Sequence, residues 1–220
     1  MKEHHLPVTR SARYFALGEP ARAREVWFVC HGYGQLAARF LEKARALDNG
    51  ERYIVAPEGL SRFYLSERAD ERRVGASWMT REDRLTEIDD YVRYLDAVYA
   101  EVFGSMERER VTVHVLGFSQ GAPTVSRWAA LGKSRIDRVV LWGGELPPDL
   151  DLGHETVARR LRAARLTLVY GNGDQFITPK VVGSITERLD AHGIPYREIP
   201  FAGGHELSDA VLAELGSIAS

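Results

Sequence analysis

The chain has 220 residues, of which 45% are hydrophobic and 27% charged, and its formal net charge is −2. This composition is ordinary for a globular domain, and the near-neutral charge gives no reason to expect nucleic acid or an anionic membrane as a partner. A chain of this length can bury one sizeable core. Because no repeat, low-complexity tract or linker divides it, we predict a single domain over residues 1–220.

Cys30 is the only cysteine, which excludes an intrachain disulfide. It lies in the apolar run 26–30, where we predict a small buried thiol. Residues 1–15 contain no apolar segment of a secretory signal, and no run approaches the ~18 apolar residues of a membrane span. We therefore expect a cytoplasmic protein without a membrane span, and a homodimer is one assembly that the sequence leaves open.

Short apolar segments alternate with amphipathic segments along nearly the whole chain. This alternation predicts an α/β fold with a mostly parallel central sheet and helices on both faces. The predicted strands cover 10–17, 25–30, 52–56, 111–117, 137–143, 165–170 and 196–201. The predicted helices cover 36–48, 82–103, 120–132, 154–163, 178–192 and 206–218.

The segment 58–80 departs from this alternation, and we predict no regular structure there. A structureless stretch of this length in a compact domain is more often functional than idle. Two interpretations stay open: its apolar side chains cover the core, or some of them line an acyl or alcohol pocket. The candidate pocket residues are Phe63, Tyr64, Leu65, Trp78 and Met79 from this segment, with Leu36 and Phe176 from elsewhere.

A predicted strand, a serine flanked by glycines and a predicted helix follow one another at 111–132. The apolar run 111–116 leads into Gly117-Phe118-Ser119-Gln120-Gly121, a G-x-S-x-G sequence. In this setting the motif predicts a nucleophile elbow, with the serine in a strained turn at the positive end of a helix. Both glycines are expected because a Cβ would collide with the neighbouring strand or helix. The candidate nucleophile is Ser119.

A serine hydroxyl needs a general base within hydrogen-bond reach, and the base needs a carboxylate to orient it. Where this elbow occurs, the acid and then the histidine follow the serine in the chain. His205 lies directly after the predicted strand 196–201, at the same edge of the sheet as Ser119, and is the predicted base. His192 is expected near a helix C-terminus, and His154 at a helix start or on the surface.

Asp174 is the predicted acid, because it follows the apolar strand 165–170 in the loop before a helix that begins at Thr178-Pro179. An Asx turn or a helix cap is an alternative role for this aspartate. Glu145, which follows the predicted strand 137–143, is the second candidate for the acid.

The loop His31-Gly32-Tyr33-Gly34-Gln35 follows the predicted strand 25–30. An H-G-x-G loop in this place presents a backbone N–H to the reacting carbonyl, beside the N–H of the residue after the nucleophile. We therefore predict an oxyanion hole formed by the backbone N–H groups of Tyr33 and Gln120. Removing one such donor costs ~3 kcal/mol of barrier in known enzymes. His31 is expected to organise the loop through hydrogen bonds of its side chain.

Taken together, these motifs resemble the α/β-hydrolase superfamily and, more narrowly, the small cap-less carboxylesterase, lysophospholipase and acyl-protein thioesterase family. The resemblance implies a fold without a separate cap domain, with Ser119 as nucleophile, Asp174 as acid and His205 as base. It also implies Tyr33 and Gln120 as oxyanion donors. The motifs, in the family's order, are HGYGQ (31–35), APEG (56–59), the region of Trp78, GFSQG (117–121), GNGDQFITP (171–179) and GGHE (203–206).

Two features depart from the family pattern. Ala122 stands where many members carry a second glycine, and the segment 60–77 is rich in arginine and glutamate. Neither departure touches the residues of the predicted chemistry. Both concern the surroundings in which a substrate would bind.

The resemblance implies hydrolysis of short- to medium-chain carboxylic esters of small molecules, without metal or cofactor. The alternatives are a thioesterase or lysophospholipase with the same triad, a peptidase, or a non-catalytic hydrolase fold that binds small molecules. Serine at position 119 excludes dehalogenases and epoxide hydrolases, which would have aspartate there. It also disfavours a dienelactone hydrolase, which would have cysteine.

Overall fold

The computed structural model of the protein describes residues 1–66 and 73–217, and its centre is a seven-stranded sheet. The strand order is β1-β3-β2-β6-β7-β8-β9, in which β1 runs antiparallel to β3 and all other neighbours are parallel. A separate hairpin pairs β4 with β5. The strands are β1 (Tyr14–Leu17), β2 (Glu25–Cys30), β3 (Arg52–Pro57), β4 (Ser61–Tyr64), β5 (Val74–Ser77), β6 (Thr112–Phe118), β7 (Arg138–Trp142), β8 (Arg165–Gly171) and β9 (Tyr196–Phe201).

Within the described residues, six α-helices cover the two faces of the sheet, which confirms the predicted fold class. Helices α1 and α6 pack on one face, and α2, α3, α4 and α5 pack on the other. The helices are α1 (Ala37–Lys43), α2 (Arg84–Phe103), α3 (Gly121–Leu131), α4 (Glu155–Ala163), α5 (Pro179–Ala191) and α6 (Asp209–Ser217).

The central strands are buried on both faces, so their sequences are apolar at nearly every position rather than alternating. Neighbouring residues of β2 show this directly: Trp27 packs toward α1 and α6, whereas Phe28 packs toward α2 and α3. Both side chains are fully buried. The Cys30 thiol is buried in the same strand, as predicted, and burial raises its pKa.

Three predicted elements differ from the observed ones by three residues or more at one end, whereas the others agree within two residues. The first strand begins at Tyr14 rather than residue 10, and the last helix begins at Asp209 rather than residue 206. The helix predicted over 36–48 ends at Lys43 and is followed by the short 3-10 turn Arg45–Leu47.

The prediction that segment 58–80 lacks regular structure is wrong for the described part of it. Strands β4 and β5 pair there in an antiparallel hairpin, with Ser61 opposite Ser77 and Tyr64 opposite Val74. Each strand has only four residues, too few for a clear alternation of apolar and polar positions. Residues 67–72 of this segment lie outside the described residues.

Because the central strands are parallel, their carboxyl ends meet at one edge of the sheet. The register sets Cys30 of β2 beside Gly117 of β6, and Gly171 of β8 beside Phe201 of β9. The loops that follow β2, β6, β8 and β9 therefore converge. In the part of the chain that the structure describes, no helix combines the length and apolarity needed to cross a membrane.

Candidate active site

The loop after β6 forms a strained turn at Ser119, whose φ of 54° lies in the left-handed region. The backbone N–H of Ser119 donates to the carbonyl oxygen of Trp142 at 2.9 Å, which ties the turn to β7. A Cβ at Gly117 would run into the backbone of Gly121, and a Cβ at Gly121 would run into the carbonyl of Cys30. Both glycines of the motif are therefore required by close backbone packing.

Three side chains predicted from sequence lie in one hydrogen-bonded line at the carboxyl edge. Nε2 of His205 is 2.9 Å from Oγ of Ser119, and Nδ1 of His205 is 2.7 Å from Oδ2 of Asp174. The ring centroids of Phe118 and Phe176 lie 4.9 and 4.8 Å from that of the imidazole, so both rings pack against it. This arrangement can remove a proton from the serine hydroxyl and hold the resulting imidazolium beside a carboxylate.

The carboxylate of Asp174 is almost fully buried, with a side chain 1% exposed. Burial by itself would raise its pKa, but the hydrogen bonds from His205 and from the backbone N–H groups of Ile177 and Phe176 outweigh burial and lower the pKa. Those backbone donors reach Oδ1 at 3.1 and 2.8 Å. The Asx-type turn considered for Asp174 thus coexists with its contact to His205, and it leaves the other oxygen free for the imidazole.

The other candidates for acid and base lie apart from this line. His154 is the exposed N-cap residue of α4, and His192 is the C-cap residue of α5, with Nδ1 2.9 Å from the carbonyl oxygen of Arg188. Both positions agree with the roles predicted for them. Glu145 lines a small cavity next to Gln120, while Nδ1 of His205 is already occupied by Asp174.

The loop after β2 lies directly beside the nucleophile, since a Cβ built on Gly32 would stand 3.2 Å from Cβ of Ser119. Two backbone hydrogen bonds join the loop to β5: Gly34 N–H to Ala76 O at 2.9 Å, and Ala76 N–H to Gln35 O at 3.1 Å. The backbone N–H groups of Tyr33 and Gln120 donate to no other group within the described residues. They are therefore free to receive a substrate oxygen.

His31 braces this loop from inside the protein. Its Nδ1 lies 2.8 Å from the carbonyl oxygen of Gly32, and its Nε2 accepts the backbone N–H of Gly59 at 3.0 Å. Accepting at Nε2 requires the proton to be on Nδ1, so the ring is neutral. Burial lowers the pKa of His31, which favours the same form. The side chain thus organises the loop, as predicted.

Gln120 makes contacts that sequence analysis missed. Its side-chain Nε2 donates to Met79 O at 2.8 Å and to Ser77 Oγ at 3.0 Å, and its Oε1 accepts the Trp78 N–H at 3.1 Å. The residue after the nucleophile therefore fastens the elbow to the end of β5. Nothing in the local sequence signals these contacts, because the partners lie more than 40 positions away.

Glu58, in the APEG motif, is a second residue whose role emerges only in the structure. Its carboxylate is buried and pairs with Arg13 through two hydrogen bonds, of 2.7 and 3.1 Å. It also accepts the backbone N–H of Ala37 at 3.3 Å, at the start of α1. Glu58 thus fixes the beginning of α1, directly after the loop 31–35.

Gly143 is the third such residue. It follows β7 with a φ of 55°, and a Cβ there would stand 3.3 Å from Nδ1 and Cε1 of His205. Any side chain would crowd the imidazole and strain the backbone. The Gly-Gly pair at 143–144, at the end of a predicted strand, is the sequence signal that could have revealed this position.

Two cavities adjoin the line of Ser119, Asp174 and His205. The larger, of about 450 Å³, is lined by Gln35, Phe40, Glu42, Lys43, Phe118, His205, Glu206, Leu207 and Asp209. The smaller, of about 170 Å³, is lined by Met79, Gln120, Pro123, Thr124, Arg127, Glu145, Pro147 and Pro148.

Of the candidate pocket residues, Met79 alone lines one of these two cavities. Trp78 differs from the expectation: it is 2% exposed, and its Nε1 donates to His31 O at 2.8 Å, so it supports the loop from the core. Phe176 is exposed and rests on His205. Leu36, Phe63, Tyr64 and Leu65 line neither cavity.

Glu3, His5 and Asp83 form the one group of three or more metal-ligating side chains found in residues 1–66 and 73–217. All three are exposed, and none belongs to the line of Ser119, Asp174 and His205.

No protein-family model matches the sequence, and no curated protein matches it. Solved structures do match the fold. Acyl-protein thioesterase 2 of Zea mays is 18% identical with a TM-score of 0.69, over 93% of this chain and 98% of that one. A carboxylesterase of Mesorhizobium loti is 21% identical with a TM-score of 0.69, over 93% and 92%. A phospholipase/carboxylesterase of Dyadobacter fermentans is 18% identical with a TM-score of 0.66, over 96% and 98%. The chain therefore has the α/β-hydrolase fold of these proteins.

Proposed function

We propose that the protein is a serine hydrolase that cleaves short- to medium-chain carboxylic esters through an acyl-enzyme. The observation that carries the proposal is the hydrogen-bonded line from Ser119 through His205 to Asp174, at 2.9 and 2.7 Å. Such a line gives a weak nucleophile an adjacent base and gives the base a fixed orientation. The esterases and thioesterases that share the fold agree with this chemistry.

Acylation begins when Nε2 of His205 takes the proton of Ser119 and Oγ attacks the ester carbonyl. The carboxylate of Asp174, ionised because its pKa is lowered, stabilises the imidazolium that forms. The imidazolium then donates its proton to the leaving alcohol, and the acyl group stays on Oγ. Water attacks this acyl-enzyme with His205 again as the base, which releases the acid and restores the serine.

The oxyanion of each tetrahedral intermediate is received by the backbone N–H groups of Tyr33 and Gln120. Their freedom from other partners in the described residues supports this role. The contacts of His31 and of the Gln120 side chain hold both donors in place before substrate arrives. Preorganised donors need no rearrangement during reaction, which is why they lower the barrier.

The cavity of about 170 Å³ beside Gln120 supports a short acyl group, because it has room for about six water-sized groups at ~30 Å³ each. The cavity of about 450 Å³ beside His205 is wide and carries Glu42, Lys43 and Asp209, so it suits a polar or bulky leaving alcohol. The size of this second cavity also favours a second candidate, a thioesterase or lysophospholipase. Rates on matched acyl-thioester, lysophospholipid and simple ester substrates separate the candidates.

The direct test is Ser119→Ala, assayed on p-nitrophenyl acetate and butyrate. We expect kcat/KM to fall by about 10⁴-fold or more, because no other group can form the acyl-enzyme. A fluorophosphonate probe should label the wild-type protein on Ser119 and leave the variant unlabelled.

Ser126→Ala is the matched control. Ser126 lies on α3 and donates to Ala122 O at 2.8 Å, without contact to His205. This variant should retain activity within about threefold of wild type, since it makes no contact to the reacting groups. Full esterase activity in Ser119→Ala, or equal losses in both variants, contradicts the proposal.

A further inference from the structure

A cavity of about 220 Å³ lies at the amino edge of the sheet, opposite Ser119. It is formed where β6, β7, β8 and β9 begin, and we refer to it as the arginine cavity. His114, in its wall, lies five positions before Ser119, which corresponds to roughly 16 Å along β6. Its charged and polar lining includes His114, Arg138, Arg162, Arg165, Thr167 and Arg197.

The charges of this lining do not balance. Four arginines line the arginine cavity, and Asp137 is the one acidic residue in its described wall. The carboxylate of Asp137 is already held by Arg108 at 2.6 Å and by the backbone N–H of Val113 at 2.8 Å. Outside the lining, Glu155 pairs with Arg162 at 3.6 Å and Glu214 pairs with Arg197 at 3.5 Å. Arg138 and Arg165 are therefore the cavity arginines without an acidic partner among the described residues.

Arg138 shows the imbalance most clearly, because its side chain is buried, with 7% exposure. Its guanidinium donates to Leu215 O at 3.0 Å and more weakly to Thr167 Oγ1 at 3.4 and 3.5 Å, and these acceptors are neutral. Within the described residues no carboxylate forms an ion pair with Arg138. Burial, Arg197 and Arg165 all lower its pKa. A buried charge without an opposite charge is costly, so an anion bound here would be stabilised.

His114 is a second and independent sign of a missing ligand. It is 6% exposed, and neither ring nitrogen has a hydrogen-bond partner in the described part of the chain. Oε2 of Glu25 lies 3.6 Å from Nε2, beyond hydrogen-bond distance, and already accepts from Arg52 and Trp27. Buried polar groups without partners are rare in folded proteins, and this one belongs to a residue in the wall of the arginine cavity.

We propose that the arginine cavity binds the phosphate or carboxylate oxyanion of a small molecule. Guanidinium groups form paired, charge-assisted hydrogen bonds with both kinds of oxyanion, and Arg138 and Arg165 have no acidic partner among the described residues. The volume holds about seven water-sized groups at ~30 Å³ each, which limits the ligand to a small molecule. The apolar part of the lining, with Leu166 and Pro195, can contact the rest of such a molecule.

The test is isothermal titration calorimetry of the full chain with inorganic phosphate and, separately, with citrate. Sodium chloride keeps the ionic strength constant, so that general screening does not contribute. We expect saturable binding of at least one of the two anions. Binding of phosphate alone identifies a phosphate ligand, and binding of citrate alone identifies a carboxylate ligand. Binding of both anions shows that the cavity recognises the oxyanion chemistry that the two share.

The variant replaces Arg165 and Arg197, because both side chains are exposed and contribute nothing to the buried core. In R165Q/R197Q the dissociation constant should rise by about tenfold or more, which corresponds to ~1.4 kcal/mol. Arg159→Gln is the matched control, since Arg159 is an exposed arginine outside the cavity, and its affinity should stay near wild type. Ester hydrolysis by R165Q/R197Q should also stay near wild type, which shows that the fold is intact.

The absence of saturable binding of either anion overturns the proposal. So does equal weakening in R165Q/R197Q and Arg159→Gln, which would indicate a general effect of net charge. Phosphate or citrate that inhibits ester hydrolysis and binds equally well to wild type and R165Q/R197Q places the anion at Ser119 and also overturns it.

Discussion

Two histidines, His205 and His114, lie at opposite edges of the same sheet and have very different surroundings. At the carboxyl edge, both ring nitrogens of His205 are hydrogen-bonded, to Asp174 and to Ser119. At the amino edge, neither ring nitrogen of His114 has a partner among the described residues. Burial is the largest cause that lowers the pKa of His114 to about 4.

The hydrogen bonding of the two histidines differs because one lies in a loop and the other lies inside a strand. His205 lies in a loop, so groups from other loops at the same edge can approach both of its nitrogens. His114 lies within β6, and its neighbours are set by the sheet: Arg138 is its register partner on β7, and Trp27 on β2 stacks on it at 4.3 Å. The loops of a parallel sheet can assemble a complete site, whereas a strand residue depends on what its neighbouring strands provide.

Among the substitutions at the two edges, Asp174→Asn should have the largest effect on activity, because it removes the charged partner of His205. We expect kcat to fall by about 10⁴-fold, since an amide neither fixes the required tautomer nor stabilises the imidazolium. The measurement is steady-state hydrolysis of p-nitrophenyl butyrate. An activity within tenfold of wild type would mean that Asp174 does not orient His205.

Because His114 is buried, the folded protein should become less stable as the pH falls. Its pKa is about 4 in the folded protein against an ordinary 6.5, so between these values the unfolded chain holds more protons. The contribution of neutral His114 to the free energy of unfolding is therefore complete above pH 6.5, and it is lost as the pH falls from 6.5 toward 4. From this residue we expect the free energy of unfolding to decrease by roughly 2 kcal/mol between pH 7.5 and pH 5.

Urea denaturation of wild type and His114→Gln at both pH values measures this contribution. His31, whose pKa burial also lowers, acts in the same direction in both proteins and cancels in the difference. His154→Gln, at an exposed histidine, is the control and should follow wild type. Identical pH dependence of wild type and His114→Gln would show that His114 is not buried in its neutral form.

Gln120→Ala should have an intermediate effect at the carboxyl edge. It removes the contacts to Ser77, Trp78 and Met79 and leaves the Trp78 N–H without its partner. We expect the free energy of unfolding to decrease by about 1 to 2 kcal/mol. We also expect a lower kcat, because the oxyanion donors are held less firmly. Gln175→Ala is the control, because Gln175 is exposed. Its free energy of unfolding should stay within about 0.5 kcal/mol of that of wild type. Equal stability of the two variants would contradict the structural role of the Gln120 side chain.

Glu145→Gln should have the smallest effect. The sequence makes Glu145 the second candidate for the acid, but Nδ1 of His205 is bonded to Asp174. We expect kcat within about twofold of wild type and, at most, a change in KM, because Glu145 lines the cavity beside Gln120. A loss as large as that of Asp174→Asn would assign the acid to Glu145 instead.

Most of the fold could be predicted from sequence, because central strands and amphipathic helices leave strong local patterns. β2 and β9 were predicted at their observed ends, and the α/β class is confirmed. The hairpin of β4 and β5 could not be predicted, since its four-residue strands are too short for a clear pattern and its contacts include the loop 31–35, which is distant in the chain. The bond from Gly34 N–H to Ala76 O is one such contact.

The sequence by itself determined which side chains stand at the carboxyl edge, because each follows a recognisable strand in the order that the G-x-S-x-G motif requires. Only the tertiary structure decided the distances between Ser119, His205 and Asp174, and it alone revealed Gly143 and the Gln120 side chain as their supports. It also shows that arginines of β7, β8 and β9 line one cavity together with His114. The physical reason is common to all of these: contacts between residues far apart in the chain depend on strand order and register, which a local pattern does not contain.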